Sequence, residues 1–390
     1  MRVAMFTETY LPSTDGVVTR LLATLREMAR LRHEVLLLAP DGGPASYAGF
    51  RVEGFPGNPS FLYPDKRVIW PRPRVLRLVR EFRPDIIHTV NPVVFGMGAI
   101  ASARLLGVPL VASYHTHMPH FADLYGYPWA KGFVWWYMRL LHNRATLNLC
   151  TSESARRELV AHRFRRVRVW SHGVDTARFH RTPADAAMRM RLSGGHPDDL
   201  VLLCVARLAP EKQIERLLPV VRRAPGVRLA LVGSGPLRER IEQAFAGTPT
   251  AFLGELLGDD LVAAYNAADA FLFPSTKETL GLVLLEAMAC GLPVIAARSA
   301  PSLDLLGEDE AGILYDADDP DALVCAVESF RDSQALRERL REGARRRGQQ
   351  RGWEGPTHQL LVYYAEALGH VRAGARAPRL ISGGTGAGGA

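Results

Sequence analysis

Short apolar runs alternate with segments of helical period along most of the chain. Arg2 to Thr7 reads as a buried strand, Glu8 to Asp15 as a polar loop, Gly16 to Arg30 as a helix and Glu34 to Ala39 as a strand, which makes a βαβ unit. The pattern continues with strands at Asp85 to His88, Val108 to Tyr114, Leu147 to Cys150 and Val167 to Trp170. Helices fall between them at Val93 to Leu106, Phe133 to Asn143 and Glu153 to Arg163. From His172 to Asp199 the periodicity lapses into a stretch rich in Pro, Gly and charge. A second series then has strands at Leu200 to Ala206, Arg228 to Val232, Ala251 to Leu253, Ala270 to Phe273, Pro293 to Ala296 and Gly312 to Tyr315.

Alternation of this kind specifies mostly parallel, doubly wound sheets. The chain is therefore predicted to be α/β, with Rossmann-like domains at 1–172 and 200–352 and a linker at 173–199. A final helix at 353–372 is expected to pack back on the first domain, and the Gly-rich tail at 373–390 to be disordered. Ligand is expected at the carboxyl ends of the strands, in the cleft between the domains.

The most informative stretch runs from Pro274 to Ile295. The apolar run Ala270 to Phe273 enters a short polar loop carrying Glu278, and a helix starts at about Gly281 and stops at Gly291, with Pro293 beyond it. Glu286 lies on an apolar stripe of that helix, between Leu282 and Val283 on one side and Ala289 and Cys290 on the other. A buried carboxylate needs a donor, from a neighbouring Arg, from solvent by snorkelling, or from a polyhydroxylated ligand. With Glu278 it forms a Glu-x7-Glu pattern around a helix N-terminus, whose free N–H groups suit an anion. Gly281 has no Cβ to hinder a phosphate.

The second domain's first strand delivers Arg207-Leu208-Ala209-Pro210-Glu211-Lys212, two cations in a loop at a strand's carboxyl end. They suit a diphosphate, the Arg as a fork and the Lys as a point charge; the alternative is a solvated turn with Glu211 as partner. Val232-Gly233-Ser234-Gly235-Pro236-Leu237-Arg238 opens a helix after a strand, but Arg238 stands where a dinucleotide fingerprint needs its third glycine, and no Walker A is present. In the first domain Thr14-Asp15-Gly16 puts a cap and a small residue near the cleft, or is an ordinary helix start. Tyr114-His115-Thr116-His117 ends an apolar strand and aims an imidazole at the cleft. His115 and His117, two apart in extended backbone, would share a face and could take a metal, though no third ligand is evident; ligand contact by His115 is preferred, with a structural histidine as the alternative.

Two surface candidates lie near these motifs. Phe121, Tyr125, Tyr127, Trp129, Phe133, Trp135, Trp136 and Tyr137, punctuated by Lys131 and Arg139, suit a membrane interface or a greasy acceptor, and suit a core equally well. Lys66, Arg67, Arg72, Arg74, Arg77 and Arg80 interleave with apolar residues. The 48 basic against 40 acidic residues give a net charge of +8, which favours acidic partners such as phosphates or anionic headgroups. No nucleic-acid module signature is present, and nucleic acid is not expected. The cysteines Cys150, Cys204, Cys290 and Cys325 lie far apart and read as reduced core residues, without CxxC metal spacing. Arg104 interrupts the longest apolar run, Pro92 to Tyr114, so no membrane-spanning helix is expected. Met1-Arg2 leads straight into a strand, and a cytoplasmic location is expected.

These residues, in this order, resemble the retaining GT-B glycosyltransferases of family four, from Phe6-Thr7-Glu8-Thr9-Tyr10-Leu11-Pro12 to about Trp353. Val90-Asn91-Pro92, Ala112 to His117, Leu147 to Ser152, Gly173-Val174-Asp175, Phe245 to Thr250 and Glu278 to Met288 look closer to one branch, the sulfolipid synthases that move sulfoquinovose from UDP onto diacylglycerol. The resemblance implies a GT-B fold, two Rossmann-like domains facing a central cleft, with acceptor bound by the first and donor by the second. It further implies that Arg207 and Lys212 hold the donor diphosphate, Glu286 the ribose, and Glu278 the sugar hydroxyls. Gly16 and the N–H groups of Gly281, Leu282 and Val283 would crowd the phosphates and sugar, and His115 would sit near the sugar's C6 end. A sulfonate there wants a cation, for which Lys277, Arg298 and the His115–His117 pair are candidates.

Transfer in this class is implied to need no metal and no further cofactor, since Arg, Lys and a helix dipole stabilise the leaving diphosphate. Where the family usually continues with Gly-Gly and then Ile-Pro-Asp, this chain has Ala300-Pro301-Ser302-Leu303-Asp304, so that loop is expected to run differently. The expected partners are a nucleotide-sugar donor and a lipid acceptor, met peripherally at the inner face of the cell membrane. The alternatives are a family-four enzyme using GDP-mannose or UDP-glucose on another acceptor, and a non-catalytic sugar-nucleotide binder.

Overall fold

A computed structural model of the chain describes residues 1–13, 15–59, 67–119, 127–276, 281–308 and 310–376. Each half is built around one twisted sheet. Strands β1 (Arg2–Thr7), β2 (Glu34–Pro40), β3 (Ser46–Tyr47), β4 (Phe50–Phe55), β5 (Asn58–Pro59), β6 (Arg67–Val68), β7 (Ile86–Val90), β8 (Leu110–Tyr114), β9 (Leu147–Cys150) and β10 (Val167–Val169) belong to the first half. All but the β5–β6 hairpin join one sheet in the order β10-β9-β8-β7-β1-β2-β4-β3. Its pairings are parallel except for the β3–β4 edge. The second half has β11 (Leu200–Val205), β12 (Val227–Val232), β13 (Thr250–Gly254), β14 (Ala270–Phe273), β15 (Val294–Ala297) and β16 (Gly312–Tyr315), all parallel, in the order β13-β12-β11-β14-β15-β16.

Helices cover both faces of each sheet, which explains why the central strands are apolar throughout rather than alternating. They are α1 (Gly16–Arg30), α2 (Pro73–Phe82), α3 (Gly96–Leu106), α4 (Lys131–His142) and α5 (Glu153–Ala161) in the first half. The second half has α6 (Ala186–Leu192), α7 (Leu218–Arg223), α8 (Arg238–Ala244), α9 (Gly258–Ala267), α10 (Leu282–Ala289), α11 (Ala300–Leu306), α12 (Ala322–Asp332) and α13 (Gln334–Gln349), and α14 (Glu354–Arg376) follows. Two tandem doubly wound α/β domains of this kind make a GT-B fold.

Three details differ from the periodicity. The basic stretch at Arg72 to Arg80 is a helix, α2, whose Val75, Leu78 and Val79 are buried while Arg72, Arg74, Arg77 and Arg80 stay exposed. The stretch expected as linker carries α6, and its Met188 and Leu192 join the core of the second sheet. Pro301 lies in the first turn of α11, where a missing N–H leaves no helical bond unmade, and a capping box between Ser299 and Ser302 starts that helix.

The chain crosses between the sheets twice, side by side. Val174 pairs with Gly352, its N–H donating to Arg351 O at 2.8 Å, and a Cβ on Gly173 would meet Trp353 Cα at 2.9 Å. After the second crossing α14 returns to the first sheet. Its Leu360, Tyr364 and Ala367 enter that core, and Pro356 and Gln359 hold the Trp170–Ser171 strand end by hydrogen bonds.

Candidate active site

In each sheet the strand order reverses direction at one point, and there the loops leaving two adjacent strands diverge and open a crevice. In the second sheet this point lies between β11 and β14, so the loops after Val205 and after Phe273 flank it. The first loop carries Arg207, which is exposed, and Lys212, which is half-buried in a 3-10 turn. The two loops are tied together. Ser275 Oγ donates to Glu211 O at 2.8 Å, and the N–H and hydroxyl of Thr276 donate to Gln213 Oε1 at 3.0 and 3.1 Å. Gln213 reaches Thr276 from a left-handed backbone (φ 53°), where most side chains are strained, so the contact has a conformational cost. The pattern of the sequence gave no signal for this latch.

Past the second loop, α10 begins at Gly281, whose φ of 58° suits glycine. The N–H groups of Leu282 and Val283 lie in its first turn and have no intrahelical acceptor. Lys277 and Glu278 lie outside the described residues. Glu286 is half-buried, one turn in. Its carboxyl accepts a hydrogen bond from the hydroxyl of Tyr265, a fully buried residue of α9, at 2.8 Å. Desolvation pushes its pKa up to about 7 against the pull of that bond and of the Arg178 guanidinium. The required donor is thus a tyrosine rather than an arginine pair, and the second carboxyl oxygen has no protein donor among the described residues. Arg298 follows β15 at the same edge, exposed and 3.7 Å from Glu308 Oε1.

The first sheet reverses between β1 and β7. Gly16 starts α1 beneath a side-chain cap, since Asp15 Oδ1 accepts from the N–H groups of Val17 and Val18, both at 3.0 Å. Glu8, just past β1, accepts from Val93 N and Gly96 N at 2.8 and 3.1 Å, and burial pushes its pKa up to about 7. Asn91, left-handed at φ 52°, turns the chain after β7 and accepts at Oδ1 from the N–H groups of His115 and Thr116.

His115 and His117 do not share a face, because β8 ends at Tyr114. His115 is buried with Nε2 2.8 Å from Ser113 Oγ, while His117 Nε2 lies 2.7 Å from Glu158 Oε2 on α5. The metal pairing drawn from extended backbone therefore does not form. Among the described residues no group of three or more His, Cys, Asp or Glu side chains is gathered as a metal would require.

Sequence reasoning missed Arg20. It is 1 % exposed, stacks 3.6 Å over the Trp170 ring and donates to Trp170 O and Ser171 O at 3.0 and 2.8 Å. No carboxylate pairs with it among the described residues, and His115 meets the same Trp170 edge-on at 5.7 Å. A single Arg in a helix of mixed polarity carries no sign of burial, because only the tertiary fold brings Trp170 over it.

Burial also makes the first domain acid-sensitive. His88 and His142 are pushed down to about 3 and about 4, and His115 and His172 well below the ordinary 6.5, all chiefly by desolvation. Below pH 6.5 the unfolded chain binds protons at these four sites and the folded chain does not, so stability falls as pH falls. Glu8 and Glu286 act oppositely between pH 4.5 and 7, where the folded chain binds their protons and the unfolded chain does not. Four against two leaves a net loss of about 3 kcal/mol per pH unit between 6.5 and 4.5. Thermal melts followed by circular dichroism at pH 7 and pH 5 should show a clear drop in Tm; an unchanged Tm would contradict this arrangement.

Known proteins resemble the chain across both halves. A family model described as Glycosyltransferase Family 4 matches residues 14–178, and one described as Glycosyl transferases group 1 matches residues 190–347. The sulfoquinovosyl transferase SQD2 of Arabidopsis thaliana is 34% identical over 371 residues, 92% of this chain and 72% of that protein. A GDP-mannose-dependent alpha-mannosyltransferase of Mycolicibacterium smegmatis is 37% identical over 380 residues, 95% of this chain and 98% of that protein. Among solved structures, Anabaena Alr3699/HepE in complex with UDP superposes with a TM-score of 0.73 at 20% identity, over 94% of this chain and 100% of that one.

Proposed function

The chain belongs to glycosyltransferase family 4, a hexosyl glycosyltransferase by that membership, and from this premise we propose that it moves sulfoquinovose from UDP to diacylglycerol with retention and without a metal ion. The observation that carries the donor site is the tied pair of loops at the β11–β14 reversal, which brings the Arg207–Lys212 loop beside the N-terminus of α10. Arg207 and Lys212 would hold the diphosphate, Glu286 the ribose and Glu278 the sugar hydroxyls. Gly16 and the amides of Gly281, Leu282 and Val283 would close around the phosphates, and His115 would meet the C6 end of the sugar. The bond from the anomeric carbon to the UDP oxygen breaks and a bond to the acceptor oxygen forms on the same face. The acceptor proton passes to a donor phosphate oxygen, and UDP leaves.

Two features support the sulfonated donor and the lipid acceptor. Arg20 is a buried positive charge without a carboxylate beside His115, and an anionic group on the sugar would offset its desolvation. At the start of α4, Trp129, Phe133 and Trp136 stand 81%, 63% and 47% exposed at helical spacing, with Lys131 and Arg139 on the same helix. Such a face suits a bilayer interface. Trp135, by contrast, is core, stacked on His162, and Lys66, Phe121 and Tyr125 lie outside the described residues. No described helix is long and apolar enough to cross a membrane, so docking would be peripheral. The 37% identity to a GDP-mannose-dependent enzyme supports the second reading, a mannosyl donor on the same framework.

Purified protein with UDP-sulfoquinovose, UDP-glucose or GDP-mannose and diacylglycerol in anionic vesicles decides between them. Lipid product is expected from UDP-sulfoquinovose; its absence beside good turnover of GDP-mannose would replace the donor assignment. Flotation of the same vesicles should carry the protein at low salt and release it as salt rises. Failure to float at any salt would remove the lipid acceptor and leave the glycosyl transfer standing.

A further inference from the structure

A chain of four buried side chains runs from the last helix to His115. Tyr364 Oη lies 2.7 Å from His88 Nδ1, His88 Nε2 lies 2.9 Å from Ser113 Oγ, and Ser113 Oγ lies 2.8 Å from His115 Nε2. Tyr364, His88 and Ser113 are fully buried and His115 is 2 % exposed, so water does not interrupt the chain.

The far end sets the direction of every bond. A phenol carries one proton, and the Tyr364 hydroxyl has His88 as its sole hydrogen-bond partner among the described residues. If His88 Nδ1 donated, the phenolic proton would be buried without an acceptor, so Tyr364 donates to His88 Nδ1. His88 must then carry its own proton on Nε2 and donate it to Ser113 Oγ. Ser113, having received one bond, gives its hydroxyl proton to His115 Nε2. The proton of neutral His115 is left on Nδ1.

We propose that Tyr364 is a positioning residue which, through His88 and Ser113, holds His115 in the Nδ1–H form and so presents it to the donor sugar as a hydrogen-bond donor. This rests on the reading above that His115 meets the sugar's C6 end. A sulfonate offers only acceptor oxygens, so an Nδ1–H group matches it. The same relay resists protonation: a proton on His115 Nε2 would leave the Ser113 hydroxyl proton without an acceptor. Arg20 from α1, His88 from β7, His142 from α4 and His172 from the first crossing face His115 and disfavour its positive form in the same sense. Because Tyr364 sits on the helix that returns from the second half of the chain, the state of His115 depends on α14 being docked.

The test uses the full chain labelled with 15N-histidine, with His115 assigned by its loss in His115→Gln. Long-range 1H–15N correlation spectra at neutral pH should show wild-type His115 neutral and protonated at Nδ1. Tyr364→Phe keeps the packing and removes only the hydroxyl. It should shift His115 toward the Nε2–H or an averaged pattern, and Ser113→Ala should do the same from the middle of the chain. In Tyr364→Phe kcat should fall roughly tenfold with the donor KM changed by less than about threefold, short of the loss from removing an acid or base outright. An Nε2–H pattern in the wild type, or an unchanged pattern in both variants, overturns the relay. A wild type that turns over none of the three donors would overturn the proposed function while the spectra still judge the relay.

Discussion

Lys212→Ala is expected to lower kcat by about a thousandfold, roughly 4 kcal/mol of transition-state stabilisation, with little change in Tm. The leaving diphosphate gains charge as the glycosidic bond breaks, and a cation held near it in a partly buried turn is worth more there than in water. Lys212 meets that description, because the 3-10 turn that carries it is latched to Ser275 and Thr276 across the β11–β14 reversal. Arg207 is exposed on the same loop and more screened, so Arg207→Ala should cost less than Lys212→Ala. Steady-state turnover of the donor measures both. Lys212→Ala with turnover within threefold of wild type would refute the diphosphate site.

Gly233→Ala should destabilise the protein by about 3 kcal/mol or more and raise the donor KM at least about tenfold. Two effects add at this position. Gly233 has φ 134°, and a Cβ there would meet Ala206 O at 2.0 Å, which is backbone and cannot swing aside. Gly235 is similar in kind, its Cβ falling 2.4 Å from Leu208 O. The two glycines therefore let the loop after β12 lie directly against the start of the Arg207 loop, and forcing them apart moves Arg207 and Lys212. Gly247→Ala is the comparison, since its φ of 74° carries backbone strain with nothing within 4 Å of a new Cβ. Chemical unfolding should rank Gly233→Ala well below Gly247→Ala. Equal stabilities would mean that backbone strain alone, and not the close approach, accounts for the glycine.

The Gly233-Ser234-Gly235 run illustrates how a correct exclusion can leave a role unexplained. Arg238 in the third position excludes a dinucleotide fingerprint, and the glycines serve loop-to-loop packing instead. The Ala300-Pro301 departure resolves similarly, into a helix start capped by Ser299. The histidine pair failed for a geometric reason: sharing a face requires extended backbone through His117, and β8 stops at Tyr114. Glu278 and Lys277, on which part of the donor reading depends, lie outside the described residues, so their place in the site rests on the resemblance.

Local period and burial were enough to specify the two series of parallel strands, the helix behind Glu286 and the loops bearing Arg207 and Lys212, because each depends on residues within a few positions of one another. The partners of those side chains were not specified. Tyr265 beneath Glu286, Gln213 beneath Thr276, Trp170 over Arg20 and Tyr364 behind His88 are separated along the chain by 21, 63, 150 and 276 residues. A hydrogen bond between side chains leaves no periodic trace in either segment. Only sheet order and the return of the last helix bring those groups within reach, and the charge and protonation of the site follow from that juxtaposition.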